Sequence, residues 1–330
     1  MFLGIEIGGT KLQLGVGDGQ RAEFAASERL DIDIPRGAAG ILAQIEQAAR
    51  GLLQRFPVAR IGIGFGGPVD TAAGRVIVSH QVDGWRNFEF GAWCRDKLGV
   101  PAVLGNDCDS AALAEARYGA GAGKQSLFYV TVGTGIGGGF VKQGVLHGVG
   151  RPASAEIGHL RPGLQAERAD ATVESLASGL GITAAAQRRL SHPAGAPAAE
   201  RWEHAGRRDL LERAGGEVAA VTAKLVGQAA ADGNRLAIEI LNQSCQVLGW
   251  AVAQMITLLA PEIVVVGGGV SLLGEDLFFV PLRDAVRRYV FPTLAGSYEI
   301  VPAALGEWVV VHGAIALAAA EEPSAIGLSR

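Results

Sequence analysis

The apolar positions of the 330-residue chain change their period several times, and each change marks an element. Residues 2–7 and 12–16 are short apolar runs on either side of G-G-T-K (8–11). So short a glycine connection predicts a β-hairpin and not a βαβ unit. Residues 23–30 are expected to add a third antiparallel strand. From Gly37 to Phe56 the period becomes helical: Ile41, Leu42, Ile45, Ala48, Ala49 and Leu52 fall three and four apart, and Pro57 ends the run. A strand over Arg60–Phe65 stops at G-G-P-V-D (66–70), and a short strand follows at 75–78. A helix over Phe88–Leu98, a strand over Ala102–Leu104 and an alanine-rich helix over Asp109–Tyr118 complete this half.

The grammar then repeats. After G-A-G-A-G-K (119–124), the stretch Tyr129–Gly139 reads Y-V-T-V-G-T-G-I-G-G-G, a strand running into a glycine loop. Phe140–Gln143 continue as strand, and Val145–Leu146 follow a turn at Gly144. Residues 151–170 have little period and read as ligand-facing loop. A helix over 172–189, interrupted near Gly179–Gly181, precedes a surface loop at 191–199, a less regular helix over 207–231 and a long one over 235–259. Ile263–Val266 form a strand that ends in G-G-G, followed by helix 277–290, strand 297–301 and a final helix 311–320 whose alanines permit close packing. Hairpin, helix, strand, helix in each half hints at an internal duplication.

Composition narrows the function classes. Apolar content of 49% with 19% charge and 48 glycines describes a turn-rich globular protein, long enough for two domains. A net charge of −4 and the lack of a Lys/Arg stripe with interleaved aromatics argue against a nucleic-acid partner. Cys94, Cys108 and Cys245 are far apart and form neither a disulfide framework nor a C-x-x-C pair. The N-terminus enters a strand with no leader pattern, and the apolar runs are broken by Gln254, Pro261 and Glu262. No membrane role and a cytoplasmic location are the expectations.

Three strands therefore run into glycine: at Ile5–Lys11, at Tyr129–Gly139 and at Ile263–Gly269. Glycine lets backbone N–H groups approach a ligand, and a row of such groups holds an anion such as a phosphate. Gly133, Gly135 and Gly138 imitate the dinucleotide fingerprint, but strand and not helix follows them, so its mechanism is missing. No P-loop sequence occurs. Asp107 follows a strand and Asn106, and precedes a helix whose dipole favours an ionised carboxylate. Two readings fit it: a base that accepts an alcohol's proton during phosphoryl transfer, or Asp107 or Asp109 as a plain helix cap. Glu156 and His159 in A-E-I-G-H, with Glu174, could hold vicinal hydroxyls. H-E-x-x-H is absent, which leaves a zinc hydrolase unsupported.

The set G-G-T-K (8–11), G-x-G-x-G-G-P-V-D (62–70), N-D (106–107), G-T-G-I-G-G-G (133–139), E-I-G-H (156–159) and V-V-G-G-G (265–269) resembles the ROK family. That is the bacterial sugar-kinase and repressor group of the actin, hexokinase and heat-shock ATPase superfamily. The motifs span nearly the whole chain in the family's order. The resemblance implies two actin-like (ribonuclease H-like) α/β domains with an interdomain cleft: residues 1–118 with 311–330, and 119–310. It implies ATP and Mg²⁺, with Gly9, Thr10, Lys11, Thr134, Gly135 and Gly137 at the phosphates and Gly267, Gly268 and Gly269 near the adenosine. Gly66, Asn106, Asp107, Glu156, His159 and Glu174 would line the sugar site, with Asp107 as base. A homodimer is also implied, and the early start of the first strand argues against the family's repressors, which carry a preceding DNA-binding segment.

Three positions depart from the family pattern. Glu6 stands where an aspartate usually orders the magnesium shell, and its extra methylene moves that indirect contact. The usual asparagine-leucine pair of the sugar site stands here as Ser79-His80 or is displaced. Residues 160–173 contain none of the cysteines that usually bind a structural zinc, so no structural zinc site is expected. The loop would then be held by packing around Leu160, Leu164 and Val173. The implied activity is ATP-dependent transfer to the 6-hydroxyl of a hexose, glucose first. The alternatives are a fructose, mannose or N-acetylhexosamine kinase, or a catalytically inactive sugar-binding regulator.

Overall fold

The computed structural model describes residues 1–79, 82–148, 150–151, 154–163, 168–191 and 201–320. It divides into two compact units. Met1–Ser126, Gly139–Ser154 and the chain from Ala304 form the first, and Leu127–Gly138 with Ala155–Ala303 form the second.

The opening hairpin is β1 (Phe2–Ile7) and β2 (Lys11–Gly17), with β3 (Ala26–Asp31) antiparallel to β2. Helix α1 (Gly37–Arg55) buries the expected face, Ile41, Ile45, Ala48, Ala49 and Leu52. Then come β4 (Arg60–Phe65) and a small antiparallel ribbon of β5 (Val69–Asp70), β6 (Arg75–Val76) and β7 (Phe88–Glu89). The ribbon takes Phe88 and Glu89, so helix α2 (Phe90–Leu98) begins two residues later than its period suggests. Strand β8 (Ala102–Asn106) leads directly into α3 (Asp107–Tyr118).

The sheet runs β3-β2-β1-β4-β8, with β1, β4 and β8 parallel. Its register puts Ile7 opposite Phe65 and Phe65 opposite Asn106. The next residues, Gly8, Gly66 and Asp107, therefore emerge together at the carboxyl edge, where α/β sheets gather ligand groups.

Strand β9 (Ser126–Val132) starts the second glycine loop, β10 (Ile136–Lys142) follows it, and β11 (Val145–Leu146) pairs antiparallel with β10. The second unit continues with α4 (Val173–Ala177), α5 (Gly179–Ser191), α6 (Arg201–Arg213) and α7 (Ala223–Ala231). The single helix expected over 207–231 is broken because Gly215 and Gly216 take positive φ, which a helix cannot continue through. Helix α8 (Arg235–Leu259), β12 (Ile263–Gly267), α9 (Val280–Tyr289) and β13 (Glu299–Pro302) follow. Strand β12 is parallel to both β9 and β13, with Thr131 opposite Gly267. The parallel trio β1-β4-β8 thus has a counterpart in β9-β12-β13.

Helix α10 (Val309–Ala319) belongs to the first unit and is buried along most of its length against α3, β1 and β4. The approach is closer than alanine alone would allow. A Cβ at Gly62 would lie 1.8 Å from Ala314 O, and one at Gly313 would lie 1.8 Å from Ser110 O. The unit boundaries differ from the expected 118/119 and 310/311, because 119–126, 139–154 and 304–310 group with the first unit. Glu115 gives a physical reason. Fully buried, it accepts N–H bonds from Ala120 (2.8 Å), Ala304 and Leu305 (2.9 Å each), which fastens both neighbouring segments to α3. No helix among the described residues is long and apolar enough to cross a membrane.

Candidate active site

In the first unit the site begins with Asn106. Its side chain caps α3, accepting from Cys108 N–H (2.8 Å) and Asp109 N–H (3.4 Å), while its amide donates to Gly67 O (3.1 Å). The capping duty left open between Asp107 and Asp109 thus falls to Asn106. Asp107 Oδ1 accepts from Cys108 N–H at 2.8 Å. Burial pushes the Asp107 pKa up, and the Cys108 bonds oppose this without cancelling it. The helix start, expected to keep this carboxylate ionised, is opposed by burial, which is the larger influence on its pKa. Gly66 donates its N–H to Ile7 O (3.1 Å), and a Cβ there would stand 3.5 Å from Asp107 Oδ2.

The first glycine loop closes with Gly8 N–H on Lys11 O (3.0 Å), and Ile32 N–H bonds Thr10 O at 3.0 Å beside Gly9. The Lys11 ammonium lies 3.3 Å from Glu6 Oε1, 3.0 Å from Gln13 Oε1 and 3.1 Å from Glu307 O. The lysine expected at the phosphates is engaged here by three protein oxygens. Glu6 is buried, and its pKa is pushed up to about 7: burial raises it most, Lys11 lowers it, and Asp107 and Glu307 add smaller upward effects. Glu6 Oε2 and Gln13 Nε2 are buried without a hydrogen-bond partner among the described residues.

The second loop turns on Gly133 N–H to Gly135 O (2.9 Å). Ile136 N–H then donates to Glu174 Oε2 at 2.8 Å, and Gly179 N–H to Gly133 O at 2.8 Å. A Cβ at Gly135 would stand 2.4 Å from Glu174 Oε2, and one at Gly158 only 2.1 Å from Ile136 O. Glycine at both positions is what lets the loop nest between E-I-G-H and α4. Residues Ile157–His159 form a single 3-10 turn after Glu156, and Leu160 O accepts Val173 N–H at 2.8 Å. Thr172 and Ser175 make a capping box that starts α4, which sets Glu174 in the first turn. The backbone thus brings the Glu156–His159 segment, Glu174 and the glycine loop together.

The 160–173 loop is held differently from the expectation. Val173 is buried, but Leu160 is 39% exposed, and Leu164 lies outside the described residues. The flanks are tied by polar contacts: Arg161 to Ala169 O (2.9 Å), Arg168 to Asp170 (2.8 Å) and the capping box. Ser79 Oγ accepts from Val82 N–H at 3.2 Å, and His80 is outside the described residues. Among the described residues no group of three His, Cys, Asp or Glu is arranged to hold a metal.

A cavity of about 960 Å³ opens beside the loop within the second unit. Gly133, Thr134, Gly179 and Gly269 line it, with Leu180, Thr183, Lys224, Gln228, Leu272 and Leu277 forming further wall. Of the residues expected at the nucleotide, Thr134 and Gly269 are on this wall. Gly135 lies under Glu174, and Gly137 is one residue into β10. Gly267 and Gly268 are closely packed: Cβ atoms there would meet Tyr129 Oη at 2.3 Å and Val132 O at 2.5 Å. Leu180, Thr183, Lys224, Gln228 and Leu272 carried no motif. The signal that could have found two of them is adjacency to glycine punctuation, since Leu180 follows Gly179 and Leu272 lies three residues past Gly269. Both are exposed apolar residues, at 63% and 85%.

The sequence pattern of the ROK family matches residues 2–321. The glucokinase of Thermotoga maritima is 30% identical over 322 residues, which is 96% of each chain. A ROK family glucokinase from Streptomyces griseus, solved in complex with glucose and AMPPNP, shares the fold at a TM-score of 0.75 and 29% identity, covering 96% of this chain and 98% of that one. The ROK hexokinase of Thermus thermophilus gives a TM-score of 0.78 at 26% identity, over 96% and 97% of the two chains. The fold is that of these two-domain, actin-like α/β proteins.

Proposed function

The chain belongs to the ROK family, and we propose that it is an ATP-dependent hexose kinase transferring the γ-phosphoryl group to the 6-hydroxyl, with glucose as acceptor. The observation that carries the donor half is the cavity of about 960 Å³, bounded by glycine-loop backbone on one side and leucines on the other. Pockets for ligands of nucleotide size fall in roughly this range. Gly133 and Thr134 would face the phosphates. Leu180, Leu272 and Leu277 offer an apolar wall suited to a purine, which favours ATP over a polyphosphate chain. The Streptomyces griseus relative, with its glucose and AMPPNP, supports the same pairing of substrates.

Asp107 would be the base. Its Oδ1 is fixed by Cys108 N–H, which leaves Oδ2 to accept the proton of the 6-hydroxyl as the phosphoryl group arrives. Asn106 takes the cap and so frees Asp107 from that duty. Gly66, without a side chain, leaves the approach to Oδ2 open. Glu156, His159 and Glu174 would orient the sugar hydroxyls by accepting and donating hydrogen bonds. Mg²⁺, if bound with the nucleotide, would neutralise charge on the phosphates. Glu6 Oε2, buried and without a hydrogen-bond partner among the described residues, is an acceptor suited to its water shell.

A homodimer and a cytoplasmic location complete the proposal, and sedimentation velocity checks the first. The activity is tested by initial rates with glucose, fructose, mannose and N-acetylhexosamines, each with ATP and with polyphosphate. ATP-dependent turnover, highest with glucose, is the expected result. Sugar binding without turnover of any acceptor would replace the kinase with a sugar-binding regulator.

A further inference from the structure

A glycine-rich turn presents its amides to a phosphate only if something fixes its shape, because glycine itself allows many. At 133–136 the fixing groups come from one later segment, 172–179. Glu174 Oε2 accepts Ile136 N–H at 2.8 Å, and Gly179 N–H reaches Gly133 O at 2.8 Å, so both ends of the turn are tied. The fit is tight, since a Cβ at Gly135 would stand 2.4 Å from the same carboxylate oxygen. The capping box of Thr172 and Ser175 in turn fixes the helix that carries Glu174. We infer that Glu174 is a positioning residue for the phosphate donor: its carboxylate braces the nucleotide loop through Ile136 N–H. In the proposed function the same carboxylate meets the sugar. The role assigned to the brace rests on that kinase reading, whereas the brace itself rests on the geometry.

This arrangement has a thermodynamic consequence. A group that touches one substrate and holds the loop for the other couples their affinities, and the coupling is reciprocal. Sugar should tighten nucleotide binding, and that enhancement should be lost with the carboxylate. A residue that served only as a sugar ligand would leave nucleotide affinity untouched when no sugar is present.

The test is titration of AMPPNP with Mg²⁺ into the sugar-free protein. A hydrogen bond to a charged group is worth enough that Glu174→Ala should weaken binding by about tenfold or more. Glu174→Gln keeps an oxygen for Ile136 N–H and should recover most of the loss. Glu156→Gln, a second carboxylate of the proposed sugar site, should bind the analogue as the wild type does. Hydrogen exchange of the 133–137 peptide, measured without any ligand, should quicken in Glu174→Ala and return toward wild type in Glu174→Gln. Unchanged affinity and exchange in Glu174→Ala, or equal losses in Glu156→Gln, would overturn the inference. Should Glu174→Ala fail to fold, Gly135→Ala carries the test, because its Cβ displaces Oε2 while the carboxylate stays; wild-type analogue affinity in that variant would overturn the brace. A wild-type protein that binds no analogue refutes the kinase reading instead, and the exchange comparison still decides the brace.

Discussion

The two glycine loops, after β1 and after β9, share a sequence grammar and are held in different ways. The first is held largely by charge within its own hairpin, with Lys11 set between Glu6 and Gln13 and reaching Glu307 O from the later chain. The second is held from outside by a segment some forty residues later, through Glu174 and Gly179. The first hold depends on ionisation, since burial pushes Glu6 up to about 7. The second depends on close backbone packing, which has no room for a Cβ at Gly135 or Gly158. One loop should therefore respond to pH and the other to substitution.

Asp107 belongs to neither hold and supplies the reference for both. Asp107→Asn should lower kcat by about 10²–10⁴-fold while sugar affinity changes little, since general-base contributions are of that size. Because burial raises its pKa, the acid limb of the wild-type pH–rate profile should lie above the usual aspartate range, with activity lost as pH falls and the base is protonated. Steady-state kinetics and sugar titration of the two proteins check this. Near-wild-type kcat would move the base elsewhere, with Asp109 next.

The charge-held loop should show itself in stability against pH. A carboxyl whose folded pKa is raised from 4.5 to about 7 binds its proton more tightly in the native state. Its contribution is fully present below about 4.5 and is lost as pH rises through about 7. The change is on the order of 3 kcal/mol at most, by the usual conversion of pKa shift to free energy. Denaturant melts of wild type and Glu6→Gln between pH 5 and 8 should therefore move in the variant's favour as pH rises. A constant difference would mean that Lys11 keeps Glu6 ionised throughout.

The packing-held loop should instead respond to one methyl group. At Gly158 an added Cβ meets a backbone oxygen at 2.1 Å, whereas at Gly8 the nearest atom, Lys11 O, is 3.3 Å away. Gly158→Ala should cost about 1–3 kcal/mol of stability, the usual range for overpacking. Gly8→Ala should cost clearly less, and equal losses in thermal melts would erase the contrast. The smallest effect concerns the support of Glu174: Thr172→Ala removes one side of the capping box and should cost about 1 kcal/mol.

What was legible in the sequence follows the same division. The Asp107 corner is local: strand, Asn106, Asp107 and helix are consecutive, so the pattern placed them, although it could not tell that Asn106 takes the cap. Helix α8 was read to the residue because its apolar period is long and unbroken. The second site is assembled from 133–136, 156–160 and 172–179, and no local pattern reveals that Glu174 reaches Ile136. The cavity wall was missed for a related reason. Leu180 lies inside an expected helix like a core residue and Leu272 between the expected elements, and only the fold shows both exposed. Gly267 and Gly268 are ambiguous from sequence, since glycine after a strand reads alike whether it admits a ligand or a neighbouring strand.

On this reading the chain moves a phosphoryl group from ATP to the 6-hydroxyl of a hexose. Phosphorus–proton correlated NMR of the products formed from glucose, ATP and Mg²⁺ tests it most directly. The expected product is a sugar phosphate whose phosphorus couples to the two C6 protons, formed in equal amount with ADP. Phosphorus coupled to a ring position, or ADP accompanied only by inorganic phosphate, would contradict it.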